Sequence, residues 1–75
     1  GYYALLETVY TTGIVVELYP AFGREINQMM IDTPPKWVIV HNIDIIQSRQ
    51  LRNIINTDYT LIAEYDYDLL FKHND

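Results

Sequence analysis

The proline pair Pro34-Pro35, followed by the apolar run Trp37–Val40, constrains the fold more than any other feature of this chain. The residue before a proline avoids the helical conformation, and proline has no backbone N–H to donate, so a helix must end ahead of the pair. A continuous apolar run is typical of a strand that is covered on both faces. The sequence therefore predicts a helix, a break and then a central strand on which Trp37 is largely buried.

The length and composition predict one folded domain over residues 1–75. A chain of 75 residues lies near the lower limit for a single hydrophobic core, and its 49% hydrophobic content is too high for a disordered segment. There are no cysteines, which excludes disulfides and thiolate metal sites. The chain opens at Gly1 and enters its first predicted element at once. We interpret it as a domain excised from a longer protein, and a processed natural terminus is the alternative.

The charge distribution disfavours two classes of partner. The net charge is −5, and the five basic residues are scattered along the chain: Arg24, Lys36, Arg49, Arg52 and Lys72. No run of them can neutralise consecutive phosphates or bind an anionic bilayer. No window approaches the roughly 18–20 apolar residues of a membrane span. We therefore expect no nucleic-acid partner and no direct insertion of this segment into a membrane.

The first twenty residues predict a β-hairpin. β-branched and aromatic residues favour a strand over Tyr2–Tyr10, Thr12-Gly13 supplies a turn, and a second strand follows over Ile14–Tyr19. A helix remains an alternative for the first segment, because four of its residues also fit a helical stripe: Tyr3, Leu6, Val9 and Tyr10.

Two helices are predicted further along the chain. Pro20 suits the first turn of a helix, and the apolar face of that helix consists of Phe22, Ile26, Met29 and Met30. Ser48 is a good N-cap for a second helix, which directs Leu51, Ile54 and Ile55 inward and Arg49 and Arg52 outward.

The segment Tyr59–Lys72 is either one long strand or a hairpin with its turn at Tyr65–Asp68. A strand of about fourteen residues is long for a small domain, so we favour the hairpin. The predicted fold class is thus α/β, a small single domain of order ββαβαββ with helices packed on a mixed sheet.

No group of residues predicts a catalytic, cofactor or metal site. Glu64, Asp66 and Asp68 form the only dense charge cluster, and it lacks the glycine and bidentate glutamate of a calcium loop, so a solvated strand face or turn is favoured. His41 is predicted to be a partnered histidine at the rim of the core, with Asp44 on the opposite face, and His73 to fray with the terminus. We therefore assign no catalytic residues, no cofactor and no metal.

The second half of the chain resembles the C-terminal soluble region of membrane glycosyltransferases that use polyprenyl-phosphate sugars. These include the dolichyl-phosphate-mannose protein mannosyltransferase-like and aminoarabinose transferase-like proteins. The matching segments are Pro34-Pro35-Lys36-Trp37-Val38-Ile39-Val40, Leu51 to Ile55, Tyr59-Thr60-Leu61-Ile62 and Tyr67-Asp68-Leu69-Leu70-Phe71-Lys72. The last segment departs from the family pattern, because Leu70 intervenes before Phe71. The resemblance covers about forty of the 75 residues and rests on packing positions.

The resemblance implies a non-catalytic accessory domain on the extracytoplasmic side of a membrane, in the periplasm or at the cell surface. The parent protein would be the enzyme, a glycosyltransferase that transfers a sugar from a lipid-linked donor. The partners would be its membrane part and the acceptor, contacted through aromatic residues such as Tyr2, Tyr3 and Tyr19. No residue here matches the family's catalytic acids. The alternative hypothesis, from the acidic and Ile-, Asn- and Tyr-rich composition, is a stand-alone interaction or inhibitor protein of the phage-encoded type.

Overall fold

The fold is mixed α/β, as predicted, with helices packed on a mixed four-stranded sheet. The structure is a computed structural model that describes residues 1–18 and 24–75. Its helices are α1 (Tyr2–Thr12), α2 (Arg24–Asp32) and α3 (Arg49–Asp58), and its strands are β1 (Val15–Leu18), β2 (Trp37–His41), β3 (Tyr59–Tyr65) and β4 (Asp68–His73). A 3₁₀ turn covers Ile43–Ile45.

The sheet has the order β1-β2-β4-β3, with β1 parallel to β2 and β4 antiparallel to both of its neighbours. The parallel pair requires a crossover connection, which contains α2. The prediction of a central strand after the proline pair is confirmed, because β2 is paired on both edges and Val38, Ile39 and Val40 are all buried. Trp37 is only partly buried, so it is less enclosed than expected.

Helices cover both faces of the sheet, which gives three layers. Alternate residues of β2 point to opposite faces, and this separates the core into two clusters. Val38 and Val40 pack with residues of α2 and α3, among them Met30, Leu51 and Ile55. On the other face, the buried residues Ile39, Leu70 and Val9 lie with partly buried side chains of α1.

The predicted N-terminal hairpin is wrong. Residues 2–12 form helix α1, so the helical alternative describes this segment and the element order begins αβ. A hairpin across Thr12-Gly13 would leave Trp37 and Ile39 on an uncovered face of the central strand. As a helix, the segment buries Val9 against Ile39 and Leu70. Burial of this face outweighs the strand propensity of the β-branched and aromatic residues.

The prediction for α2 is confirmed over its described residues, Arg24–Asp32. Met30 is buried, Ile26 and Met29 pack beside it, and the helix ends at Asp32, ahead of Thr33-Pro34-Pro35. Pro20 and Phe22, predicted to begin this helix, and Tyr19, predicted to end the strand before it, lie outside the described residues.

The predicted cap of α3 is also confirmed. The Ser48 hydroxyl accepts a hydrogen bond from the Leu51 amide at 3.2 Å, as an N-cap does. Leu51 and Ile55 are buried and Ile54 is partly buried. The outward side of the helix carries the exposed side chains of Arg49 and Arg52.

The predicted C-terminal hairpin is confirmed, with its turn at Asp66-Tyr67 between β3 and β4. A register shift between Leu61 and Ala63 places a bulge at Ile62 on the edge strand. The prediction that His73 frays is wrong. It is the last residue of β4, and its amide donates to the Lys36 carbonyl at 2.9 Å.

Candidate functional site

The imidazole of His41 lies between two carboxylates at one end of the sheet, on the face that carries α1. Its Nδ1 is 2.9 Å from Oδ1 of Asp68, and its Nε2 is 3.1 Å from Oε1 of Glu17. The three side chains are 27%, 33% and 37% exposed for His41, Asp68 and Glu17, respectively. They connect β1, β2 and β4 in one polar row at the rim of the core.

Strand pairing explains how residues so distant in sequence meet. His41 and Asp68 are direct partners in the antiparallel ladder between β2 and β4. Glu17 pairs with Ile39, two residues before His41 on the same face of the sheet. The prediction of a partnered rim histidine is therefore confirmed. Asp44, in the 3₁₀ turn, takes no part in this row, and its amide donates to Oδ1 of Asn42.

The geometry of the row is suited to holding strands together. Both ring nitrogens of His41 lie within hydrogen-bond distance of a carboxylate oxygen, so the imidazole bridges Asp68 on β4 and Glu17 on β1. A general base needs a nitrogen that faces substrate. Here each ring nitrogen faces a carboxylate of the protein. Within residues 1–18 and 24–75, no group of three or more His, Cys, Asp or Glu side chains is arranged to hold a metal ion.

A cluster of tyrosines borders this row. The Tyr2 ring stacks on Tyr65, with centroids 5.1 Å apart and an angle of 11° between the planes. It also meets Tyr3 edge to face, with centroids 6.1 Å apart. Tyr3 is 80% exposed, Tyr65 52% and Tyr67, at the hairpin turn, 77%. We call Tyr3, Tyr65 and Tyr67, together with the Tyr2 ring between the first two, the tyrosine surface.

Electrostatics connect the tyrosine surface to the polar row. Burial raises the pKa of Tyr2, and the negative charges of Asp68 and Glu17 raise it further. The phenol is therefore kept neutral well into the alkaline range, because ionising it would add a third negative charge beside two carboxylates. Tyr2 serves as a neutral, partly buried support for the exposed rings.

The acidic cluster Glu64, Asp66 and Asp68 is divided between two roles. Glu64 and Asp66 are exposed, on β3 and in the turn, as predicted for a solvated strand face or turn. Asp68 instead points to His41. Asp66 has a positive φ of 51°, a conformation that aspartate tolerates better than most residues.

The opposite end of the same face is basic. The ammonium groups of Lys36 and Lys72 lie 5.9 Å and 5.6 Å from the centroid of the Trp37 ring, within range of a cation–π interaction. The Lys36 Nζ also donates to the carbonyl of Thr12 at the C-terminus of α1, where a positive charge complements the helix dipole. This arrangement stabilises the end of α1 against the sheet.

A cleft of about 330 Å³ opens beside the two lysines. Its lining residues are Pro34, Lys36, Lys72, His73 and Asp75. The Nδ1 of His73 lies 2.7 Å from Oδ1 of Asp75, and this hydrogen bond lowers the pKa of the Asp75 carboxyl. The cleft is thus lined by both cationic and anionic side chains.

Sequence reasoning did not find the row of Glu17, His41 and Asp68. The positions of two of these residues could have indicated the row. His41 follows an apolar run, and Asp68 begins the second strand of the predicted hairpin. Antiparallel pairing of those two strands would have placed the pair side by side. Of the three tyrosines expected to contact an acceptor, Tyr3 is exposed and Tyr2 lies partly buried behind it, while Tyr19 is outside the described residues.

Comparison of the chain with protein-family models, with curated proteins and with solved structures finds no match. Among the helices of residues 1–18 and 24–75, none combines the length and the apolar character needed to cross a bilayer.

Proposed function

We propose that this domain is a non-catalytic accessory domain of a membrane glycosyltransferase that transfers a sugar from a lipid-linked donor. It would lie on the extracytoplasmic side, in the periplasm or at the cell surface, and contact the acceptor beside the membrane part of the enzyme. The observation that carries the proposal is the tyrosine surface. Exposed tyrosines supply rigid, amphipathic contact area, and this is why they are enriched where proteins bind partners.

The position of the tyrosine surface supports a binding role. Tyr65 and Tyr67 project from a hairpin whose second strand is paired on both edges, and Tyr3 projects from the first turn of α1. Side chains on regular elements are held in place better than side chains on long loops. The surface is therefore organised in advance of binding.

The chemistry of His41 supports the non-catalytic part of the proposal. Its two nitrogens face Asp68 and Glu17, so abstraction of a substrate proton would first require one of these contacts to open. The resemblance of residues 34–40, 51–55, 59–62 and 67–72 to the family's soluble region supports the identity of the parent. In this fold those segments lie on β2, α3 and the β3–β4 hairpin.

A truncation tests the proposal. Full-length parent enzyme and a form lacking residues 1–75 are compared in membranes at matched protein levels, for sugar transfer and for binding of the lipid-linked donor. We expect transfer to the acceptor, or enzyme stability, to change more than donor binding does. Sugar transfer catalysed by the 75-residue chain alone would overturn the proposal.

A matched pair of variants separates the tyrosine surface from the rest of the domain. The double variant Tyr3→Ala, Tyr67→Ala in the full-length enzyme should reproduce much of the effect of truncation on acceptor transfer. The control is Tyr10→Ala, which removes another exposed tyrosine, toward the opposite end of the same helix. Equal losses from both would show that general destabilisation, and not the tyrosine surface, is responsible.

One feature favours a second candidate, a stand-alone acidic interaction protein. The edge strand β3 exposes Leu61 and Ile62, which are 45% and 47% exposed, and an edge of this kind can pair with a strand of a partner. The full-length gene distinguishes the candidates. Several hydrophobic spans encoded upstream of Gly1 favour the accessory domain, and a start codon at this point favours the stand-alone protein.

A further inference from the structure

The imidazole of His41 connects two strands that do not lie side by side. Its Nδ1 is 2.9 Å from Oδ1 of Asp68 on β4, and its Nε2 is 3.1 Å from Oε1 of Glu17 on β1. In the sheet, β2 separates β1 from β4. The ring therefore makes a side-chain link across β2 that backbone pairing of neighbouring strands does not supply.

The number of hydrogen bonds that an imidazole donates depends on its charge. The neutral ring has one N–H group and one unprotonated nitrogen, whereas the protonated ring has two N–H groups. An ionised carboxylate only accepts hydrogen bonds. When protonated, His41 can therefore donate to Asp68 and to Glu17 at the same time. When neutral, it can donate to only one of them, and the other carboxylate faces a nitrogen lone pair.

The contact with Glu17 is the one that depends on the second proton. Asp68 is the direct partner of His41 in the antiparallel ladder, and it is the nearer of the two carboxylates. Glu17 pairs with Ile39 and reaches the ring with a longer side chain from an edge strand of four residues. A proton on Nδ1 preserves the contact that the ladder supports and leaves Nε2 without a hydrogen toward Glu17.

Two tyrosines adjoin the row and complete the titratable surroundings that are described for it. Tyr2, on α1, lies near both carboxylates, and burial together with their charges raises its pKa. Tyr65, on β3, pairs with Asp68 along the ladder and stacks on Tyr2. The phenol of Tyr2 is thus neutral over the range of roughly pH 5 to 8 in which histidine changes its charge. Carboxyl groups lose their protons at about pH 4, below that range.

We propose that His41 is a pH-dependent clamp on the edge strand β1, which holds Glu17 while the imidazole is protonated and releases it when the imidazole is neutral. The contact with Asp68 persists in both states, with the hydrogen on Nδ1. The Glu17 contact therefore contributes to stability at acid pH, and this contribution is lost as the pH rises through the titration of the imidazole. The inference does not depend on the proposed function.

Release frees a side chain and leaves the strand in place. Leu18, next to Glu17, is buried in the core under α2 and α3, and Val16 packs against the same cluster. These apolar contacts do not depend on pH. The carboxylate of Glu17 turns to solvent near Tyr2, the ring that supports the tyrosine surface. Loss of the proton also makes this end of the sheet more negative.

Nuclear magnetic resonance of the 75-residue chain tests the clamp between about pH 5 and about pH 9, a range that spans the titration of histidine. The nitrogen signals of the imidazole report its charge and tautomer, and the carboxyl carbon signals of Glu17 and Asp68 report their hydrogen bonds. We expect the Glu17 signal to approach that of a solvated glutamate as His41 loses its proton, with the remaining hydrogen on Nδ1. A neutral ring with its hydrogen on Nε2, or a Glu17 signal that does not follow the titration of His41, would overturn the proposal.

Two substitutions of Glu17 give opposite outcomes. Glu17→Gln supplies an amide that accepts from the protonated ring and donates to the unprotonated nitrogen of the neutral ring, so the contact should survive at either pH. Glu17→Val favours a strand but has no polar group, so the contact should be absent at either pH.

Urea unfolding at about pH 5.5 and about pH 8 compares the two variants with the unsubstituted chain. Relative to that chain, Glu17→Val should lower the folding equilibrium constant by about two- to fivefold more at the acid pH than at the alkaline pH, the size expected for one exposed contact. Glu17→Gln should gain over the unsubstituted chain as the pH rises. An equal effect of Glu17→Val at both pH values would overturn the clamp.

The two histidines of the chain provide a matched control. His73 lies at the other end of β4 from Asp68, where its ring contacts Asp75. His73→Gln should leave the pH response of the Glu17 signal unchanged, whereas His41→Gln should abolish it. A response that persists in His41→Gln, or one that disappears in His73→Gln, would assign the effect to another group and overturn the proposal.

Discussion

The two faces of the sheet are built from different interactions. The face under α2 and α3 has a large apolar cluster, in which Val38, Val40, Leu51 and Ile55 are almost completely excluded from solvent. The face under α1 has a small buried cluster of Val9, Ile39 and Leu70.

Polar and aromatic contacts complete the face under α1. At one end of it lie the His41 row and the tyrosine surface, and at the other the lysines over Trp37. The difference indicates that one face supplies most of the stability, while the other remains open enough to present functional groups. This division of roles between the two faces is tested by substitutions on each of them.

The largest expected effect is a difference between core truncations on the two faces. Ile55→Ala, under α3, should lower the free energy of unfolding by about 2–5 kcal/mol, because it leaves a cavity among fully buried neighbours. Leu6→Ala, in the partly buried layer of α1, should lower it by roughly 1–2 kcal/mol, since less area is lost. Urea unfolding measures both. Equal losses would contradict the division.

Tyr59, in the apolar cluster under α2 and α3, makes the stability of the domain sensitive to alkaline pH. Burial raises its pKa to about 12, with smaller contributions from Asp58 and Asp75, above the ordinary value of 10.0. As the pH rises, the unfolded chain therefore releases the phenolic proton of Tyr59 before the folded chain does. Between pH 10.0 and about 12 the folded state binds more protons than the unfolded state. The associated stability is fully present below pH 10 and is lost as the pH rises through 12.

The variant Tyr59→Phe should remove that alkaline component and lower stability at neutral pH by roughly 1–3 kcal/mol. The loss arises because the Tyr59 hydroxyl donates to the carbonyl of buried Pro35 at 2.6 Å. Urea unfolding at several pH values measures both effects. Tyr3→Phe is the control, because Tyr3 is exposed and should change neither. An unchanged alkaline transition in Tyr59→Phe would contradict the assignment.

The polar row on the α1 face should contribute less. His41→Gln loses the contacts of the imidazole with the carboxylates of Asp68 and Glu17, whose side chains are about a third exposed, and exposed contacts of this kind each contribute less than about 1 kcal/mol to stability. The effect should shrink as salt is added, because exposed charges are screened. Unfolding in urea at low and high salt measures it. A large, salt-independent loss would show that this face is as important for stability as the other.

The smallest expected effect is a gain at the hairpin turn. Asp66→Gly relieves the positive φ and should raise stability by roughly 0.5 kcal/mol, the relief being partly offset by the greater freedom of the unfolded chain. Glu64→Gly, in regular strand conformation, should instead lower it. Melting temperatures of the two variants give the comparison. Loss of stability in both would contradict the assignment of backbone strain to Asp66.

Local signals were sufficient for much of the fold. The proline pair ends α2, the apolar run forms β2, Ser48 caps α3 and the C-terminal segment turns at Asp66-Tyr67. The first three follow from backbone chemistry or from a continuous apolar run, whereas the hairpin was favoured over a single strand because a strand of about fourteen residues is long for a small domain. The candidate site was not predictable in this way, because Glu17, His41 and Asp68 come from three separate strands and meet only through the register of the sheet.

The sequence by itself determined the helix break, the central strand and the cap, because the stereochemistry of proline, serine and continuous apolar residues acts over a few positions. Only the tertiary structure decided that residues 2–12 are helical. Their pattern of apolar residues fits both a helix and a strand, and the helix forms because it covers a face of β2 that would otherwise be uncovered. The tertiary structure also decided the bulge at Ile62. That bulge leaves Tyr59 in the core under α3 while turning Ala63 and Tyr65 toward α1. Without it, strict alternation would put all three side chains on one face, and Tyr65 could not stack on Tyr2.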